Sequence, residues 1–287
     1  MNNSSGIEIR PMRPEDIPAG MDLCRAANWN QLEDDWRVFL EMEGAAALLA
    51  VRDGLPVGTA AFLRYGPRFS WLAMMLVDPR HRRAGIGGQL MEAALAALAG
   101  ETCVRLDATP AGEPLYRRFQ FVEEYHLVRL RGTFRAENLP AADAGVRPMT
   151  RRDLDAVLAL DREVFGGNRA ALLESIYVRA PQYAWLAGGD GAPRGFAFGR
   201  PGYLYEHLGP VVARDIETAK RLVAGCLASQ TAREFVIDAP TWDQEWKAWL
   251  ESAGLAAERP FLRMRLGPYD HPGEHRLLFA IAGPEFG

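Results

Sequence analysis

The chain has 287 residues, of which 48% are hydrophobic and 24% charged, and its net charge is −4. That length suits two compact domains better than one, and the composition is that of a soluble globular protein. A mildly acidic chain without a basic face argues against nucleic-acid binding. Cys24, Cys103 and Cys226 are odd in number and far apart, with no C-x-x-C pair. Neither a disulfide framework nor a zinc site fits that spacing, so no metal is expected and Cys24 and Cys103 read as small core residues. Residues 1–6 are polar, and no apolar run reaches membrane-spanning length. A cytoplasmic location without a membrane partner follows as the expectation.

In chain order, the pattern predicts a strand at 7–12 and a helix at 15–27 started by Pro14. A second helix at 32–41 places Trp36 and Phe39 on one face. Strands at 45–52 and 57–64 are joined by Asp53 and Gly54, a hairpin signal. A strand at 68–77 leads into a glycine-rich turn and a helix at 87–99. Then come a strand at 102–108, a helix at 113–119 and a strand at 123–130. Residues 136–145 read as a polar linker rich in Pro and Ala. Beyond it lie a strand at 146–149, helices at 154–165 and 169–178, and strands at 183–187, 195–200 and 203–212. A long helix at 216–230, a strand at 235–238, a helix at 245–253 and a strand at 261–266 follow.

The two halves repeat. Arg10, Pro11, Met12 and Asp16 return as Arg147, Pro148, Met149 and Asp153, and Pro56 and Gly58 return at the same spacing as Pro193 and Gly195. One duplication of this length means two related domains rather than a solenoid. The expected division is a domain at 1–135, a linker at 136–145 and a second domain at 146–287.

The turn after the strand at 68–77 carries the chemistry. Gly85, Gly87 and Gly88 let the backbone approach a ligand closely, and the following helix offers free N–H groups and the positive end of its dipole. Arg80, His81, Arg82 and Arg83 add positive charge, with His81 read as a solvated member of the turn. The arrangement suits a pyrophosphate. No Gly-Lys-Ser/Thr follows, and the glycine spacing is not that of a dinucleotide fold.

The run Val77, Pro79, Arg82, Gly85, Gly87 and Leu90 resembles the acyl-CoA signature of the GNAT superfamily of N-acetyltransferases. The resemblance implies an α/β fold, each domain holding a mixed, mostly antiparallel sheet flanked by helices. It implies acetyl-CoA as co-substrate, with Met75, Leu76 and Val77 on the acetyl and pantetheine portions. Arg82, Arg83, Ala84, Gly85, Ile86, Gly87 and Gly88 would then hold the pyrophosphate, and Thr109 the pantetheine arm. Tyr116 resembles the family tyrosine that serves as the acid, although Gln120 replaces the glycine that follows in the family. Asp107 stands near where some members have an acidic residue and is a candidate base. It also reads as a strand-end turn residue, and Asp238 repeats it. Trp29, Asn30 and Trp71 fall where the family builds its acceptor pocket, while Trp36 reads as a core aromatic.

Residues 209–219 occupy the place of the glycine turn in the second half and contain nothing like it, and Leu250 takes the place of Tyr116. Only the first half is therefore expected to bind acyl-CoA, as in bacterial tandem proteins of this superfamily with a divergent C-terminal domain. The implied activity is acetyl transfer from acetyl-CoA to the amine of a small molecule, by direct attack in a ternary complex. A lysine or N-terminal protein acetyltransferase is one alternative. A non-catalytic acyl-CoA sensor or scaffold is another, kept open because residues 68–77 contain no carboxylate. The acceptor is not legible, and a homodimer is left open.

Overall fold

The computed structural model describes residues 6–140, 145–189, 192–228, 233–268 and 273–287. Residues 141–144 of the expected linker lie outside them. The first half runs β1 (Ile7–Pro11), α1 (Ile17–Ala26), α2 (Glu33–Glu41), β2 (Ala45–Arg52), β3 (Leu55–Gly66), β4 (Phe69–Val77), α3 (Ile86–Ala97), β5 (Cys103–Ala108), α4 (Glu113–Arg118) and β6 (Val122–Gly132). The second runs β7 (Val146–Pro148), α5 (Leu154–Phe165), α6 (Ala170–Arg179), β8 (Trp185–Gly189), β9 (Ala192–Arg200), β10 (Glu206–Ala213), α7 (Ile216–Leu227), β11 (Phe235–Pro240), α8 (Gln244–Ser252), β12 (Leu255–Leu266) and β13 (Leu278–Ala280). Asp53 and Gly54 turn the β2–β3 hairpin with φ of 52° and 77°, the left-handed pair such a turn requires.

The sequence repeat has a structural cause. Arg10 donates two hydrogen bonds of 2.7 Å to the Asp16 carboxylate, and Arg147 does the same to Asp153 at 2.8 and 2.7 Å. Each aspartate also accepts from the backbone N–H three residues before it, at 2.8 Å. Both halves thus fix the entry to their first helix with one clasp.

The sheet is mixed and mostly antiparallel, as expected, but it is not divided as expected. Among the described residues all thirteen strands join one sheet, in the order β1-β2-β3-β4-β5-β12-β6-β11-β10-β9-β8-β7, with β13 on β10. The last long strand of each half therefore lies against the other half. β12 sits between β5 and β6, with Leu262 opposite Ala108 and Phe261 opposite Leu127. β6 pairs with β11, Leu130 opposite Ile237. The strand expected to close the second domain completes the sheet of the first.

Two buried ion pairs lock the exchange at equivalent places. Arg263 on β12 stands opposite Asp107 on β5, and Arg129 on β6 stands opposite Asp238 on β11. In both, the guanidinium donates through two nitrogens, at 2.8 and 2.8 Å in the first and 2.7 and 2.7 Å in the second. The main apolar core likewise spans both halves, joining Trp36, Phe39, Tyr65 and Trp71 to Phe165, Phe196 and Phe286. Phe39 stacks on Phe286 with ring centres 5.6 Å apart, and Tyr65 meets Phe165 edge-on at 5.1 Å. Such pairs add about 0.5–1.5 kcal/mol each beyond their buried area. Cys24, Cys103 and Cys226 are all buried, and among the described residues none is joined in a disulfide.

The two parallel pairings both fall short. β4 runs beside β5 only from Phe69–Cys103 to Trp71–Arg105, and β10 beside β11 only at Glu206–Phe235 and His207–Val236. Past those points each pair of strands splays. In the second half β13 enters the wedge: Val211 pairs with Ala280, and the Ile281 N–H donates to the Asp238 carbonyl at 3.0 Å. The wedge of the first half stays open.

Candidate active site

The open wedge is a cleft of about 530 Å³, within the range of small-molecule sites. A bulge shapes its β4 wall. Thr59 pairs with Leu76 but Ala61 with Ala73, so β4 carries one extra residue there. Met74 takes φ of 51°, and its carbonyl accepts from the Thr59 hydroxyl at 2.8 Å. A bulge takes a strand out of its ladder and re-aims it. Met75, Leu76 and Val77, with no β5 partner beside them, line the cleft.

At its mouth the chain makes the glycine-rich turn. The Asp78 carboxylate accepts from the Arg80 backbone N–H at 2.8 Å and from the Arg80 guanidinium, which holds its carboxyl down at about 2. That pins the short turn Pro79–His81. Arg83 and Gly85 then take φ of 63° and 82°, and α3 begins with no side chain accepting from its first N–H groups. A Cβ on Gly85 or Gly88 would meet nothing within 4 Å, and one on Gly87 would press on Leu115 at 3.3 Å. Uncapped N–H groups, a helix dipole and the exposed Arg82, Arg83 and Ala84 make a cradle that fits a pyrophosphate. Ile86 is buried in the core under α3, so only its backbone is available to a ligand.

The second half has closed the equivalent place in its own way. α7 is capped by Asp215, whose carboxylate accepts from the Thr218 N–H at 2.7 Å. Its negative charge stands where a phosphate would have to be. With β13 filling the wedge, both parts of the site are occupied by protein.

The structure places the other candidates unequally. Tyr116 lines the cleft and is nearly buried, and burial pushes its phenol up, so it stays protonated at neutral pH. Gln120 takes φ of 66°, the conformation a glycine favours, and the turn behind Tyr116 forms without the glycine. Thr109 lines the cleft, and its hydroxyl accepts from the Gly112 N–H at 3.2 Å, bracing the loop into α4. Trp29 is half-buried on the cleft wall.

Three expectations are corrected. Asp107 faces the cleft, but both its oxygens accept from Arg263; burial pushes its carboxyl up while Arg263 opposes that. It is a lock on the exchanged strand rather than a free base. Asn30 reaches the cleft, yet its side chain donates to the Tyr205 carbonyl at 2.8 Å and accepts from the Leu204 and Tyr205 N–H groups at 2.7 and 3.2 Å. It clasps the second half. Trp71 is fully buried, donates to the Pro284 carbonyl at 3.0 Å and lies under Arg263. It belongs to the core between the halves.

The sequence reading missed the far wall, which comes from Arg259 and Phe261 on β12, from Arg129 on β6, and from Pro284 and Glu285 near the end of the chain. Burial opposes the charge of Glu285, but Arg200 and His207 hold its carboxyl below its ordinary value. A signal did exist in Asp238. It repeats Asp107 in a half without the glycine turn, which pointed to a structural pairing with the neighbouring strand.

Among the described residues no group of three His, Cys, Asp or Glu could hold a metal ion, and no helix is long and apolar enough to cross a membrane. Two family models, each described as an acetyltransferase (GNAT) domain, match residues 43–123 and 157–280. The holothin acyltransferase of Pseudoalteromonas sp. (strain SANK 73390) is 27% identical, over 91% of this chain and 88% of its own. The uncharacterized N-acetyltransferase YitH of Bacillus subtilis is 21% identical, over 78% and 79%. In fold, a solved structure from Pyrococcus horikoshii covers 100% of this chain and 98% of its own, with a TM-score of 0.82 at 23% identity. A tandem GNAT protein from the clavulanic acid biosynthesis pathway covers 92% and 100%, with a TM-score of 0.65 at 16% identity. The open wedge, its glycine cradle and the closed copy beside it thus belong to a tandem acyltransferase of the GNAT family.

Proposed function

We propose that the chain transfers an acetyl group from acetyl-CoA to the amine of a small molecule, in the cleft of its first half. The observation that carries this reading is the contrast between the two wedges. One is open and ends on an uncapped helix N-terminus, and the other is filled by β13 and capped by Asp215. The acyl-CoA pyrophosphate would rest on residues 82–88, with the pantetheine arm between β4 and Thr109. Amides of the bulged strand near Met75 would hydrogen-bond the thioester carbonyl, whose oxygen gains charge as the amine attacks.

The neutral amine nitrogen forms the C–N bond, the C–S bond breaks, and the thiolate takes the proton of Tyr116. Solvent reprotonates the phenolate and removes the proton left on nitrogen. No acyl-enzyme is needed, and no serine or cysteine nucleophile enters.

Walls from the second half narrow the cleft: Arg259, Phe261, Pro284 and Glu285 stand across from the donor side. That enclosure favours a small acceptor over a protein lysine or N-terminus. The relative named holothin acyltransferase supports acyl transfer as the activity. The test is release of CoA thiol from acetyl-CoA with a panel of small amines, amino acids and peptides. Amine-dependent release with small acceptors is expected. Release with protein substrates alone would overturn the small-molecule reading, and binding of acetyl-CoA with no release for any amine would make the protein a sensor.

A further inference from the structure

We infer that Arg259 is the anion-recognition residue of the acceptor pocket, and that the acceptor amine carries a carboxylate. The inference rests on reading the cleft as an acetyl-transfer site, and it begins from the charges in that cleft. Arg82 stands at the mouth beside the glycine turn. Asp107 is neutralised by Arg263, Arg129 by Asp238, and Glu285 by Arg200. Arg259 has no hydrogen bond or ion pair among the described residues, and its Nε is buried without a partner. Glu258, its neighbour in sequence, turns away to Arg131 at 3.3 Å.

The backbone aims this side chain into the cleft. Ala257 pairs with Leu130 but Arg259 with Arg129, so β12 bulges at Glu258. Residues 259, 261 and 263 then share one face of the strand. β12 pairs with the last residue of β5, Ala108, through Leu262, so Arg259 lies beyond the end of β5, where the wedge is widest. Its guanidinium stands over the Phe261 ring, 4.9 Å from its centre.

This placement opposes stability. Arg259 and Arg129 are directly opposite on neighbouring strands, where like charges repel. Burial, and then the charge of Arg129, press the Arg259 guanidinium below its ordinary value, while Asp238, Tyr205 and Glu258 oppose them. A planar guanidinium with a buried, unpartnered Nε beside an aromatic ring can bind a carboxylate through two parallel hydrogen bonds. The acceptor class that satisfies the site is an amino acid or another aminocarboxylate, with its amine toward the thioester and its carboxylate on Arg259.

The test is calorimetric titration of the full chain, in saturating CoA, with a series of α- and ω-amino acids and their carboxamides. At least one acid is expected to bind on the order of 10- to 100-fold more tightly than its amide. That preference should vanish in Arg259→Gln and return in part in Arg259→Lys, with neither variant unfolding at a lower temperature than the parent. Acids and amides binding alike, no acid binding at all, or a preference that survives in Arg259→Gln would each overturn it. Thiol release separates the two readings. Acid binding through Arg259 without release from any amine removes the transferase reading alone. Release that ignores the acceptor's carboxylate and is unchanged in Arg259→Gln removes Arg259 alone.

Discussion

Asp107 and Arg263 stand opposite each other on β5 and β12, 156 residues apart in sequence, joined by two hydrogen bonds of 2.8 Å. Both side chains are buried at the edge of the cleft, and the pair ties a strand of one half to the sheet of the other. Removing one partner strands a buried charge, which costs about 3–5 kcal/mol. Asp107→Asn should therefore lower the denaturant midpoint by a corresponding amount. A catalytic base would behave otherwise: the variant would keep its midpoint and lose turnover alone. Chemical denaturation beside steady-state kinetics distinguishes the two.

Tyr116→Phe tests the acid. The phenol has only burial acting on it, so its loss should leave the fold intact. Turnover is expected to fall about 100-fold or more, the usual worth of a positioned acid. The acetyl-CoA dissociation constant, read by calorimetry, should change little. Unchanged turnover takes Tyr116 out of the mechanism.

Gly85 tests the cradle. At φ of 82° an alanine is strained by about 1–2 kcal/mol. The loop relieves that strain by moving, and a ligand must restore it. Acetyl-CoA should bind about tenfold more weakly to Gly85→Ala. Asp215→Ala is the matching control in the second half. It should cost about 1 kcal/mol of stability through its lost cap, with thiol release unaffected.

His207 gives the pH dependence. Burial, and then the charge of Arg200, hold its imidazole below the ordinary value, while Asp238 and Glu285 oppose them. A depressed folded value means that the unfolded chain takes the proton first. Stability is then complete above about 6.5 and declines as pH falls below it, by up to about 1.4 kcal/mol per pH unit. His207→Asn should flatten that part of the profile, as followed by unfolding between pH 7.5 and 5. An unchanged slope in the variant would assign it to other groups.

Element order was legible in the sequence because it depends on local patterns, and the glycine cradle because its function needs particular residues in a row. The partner of a strand is a different matter. The pattern in 261–266 marks a strand and says nothing of whether β5 or a neighbour in its own half lies beside it. The far wall escaped notice for a related reason. Pro284 and Glu285 sit in an aperiodic segment, and Arg259 falls between the helix read at 245–253 and the strand read at 261–266, in a stretch assigned to no element. Asn30 reaches the cleft and Trp71 does not, and the partners that hold them, Tyr205 and Pro284, come from the other half.

The reciprocal strand exchange delays completion of the first half's sheet until the second half is synthesised. β5 leaves the ribosome early, yet β12, its neighbour in the finished sheet, is translated some 150 residues later. At about 5–20 residues per second that is a delay of roughly 8–30 s. The nascent first half must wait through it with an incomplete sheet and without the far wall of its cleft. The wall formed by Arg259, Phe261, Pro284 and Glu285 is therefore added to the cleft last, once the second half has been made.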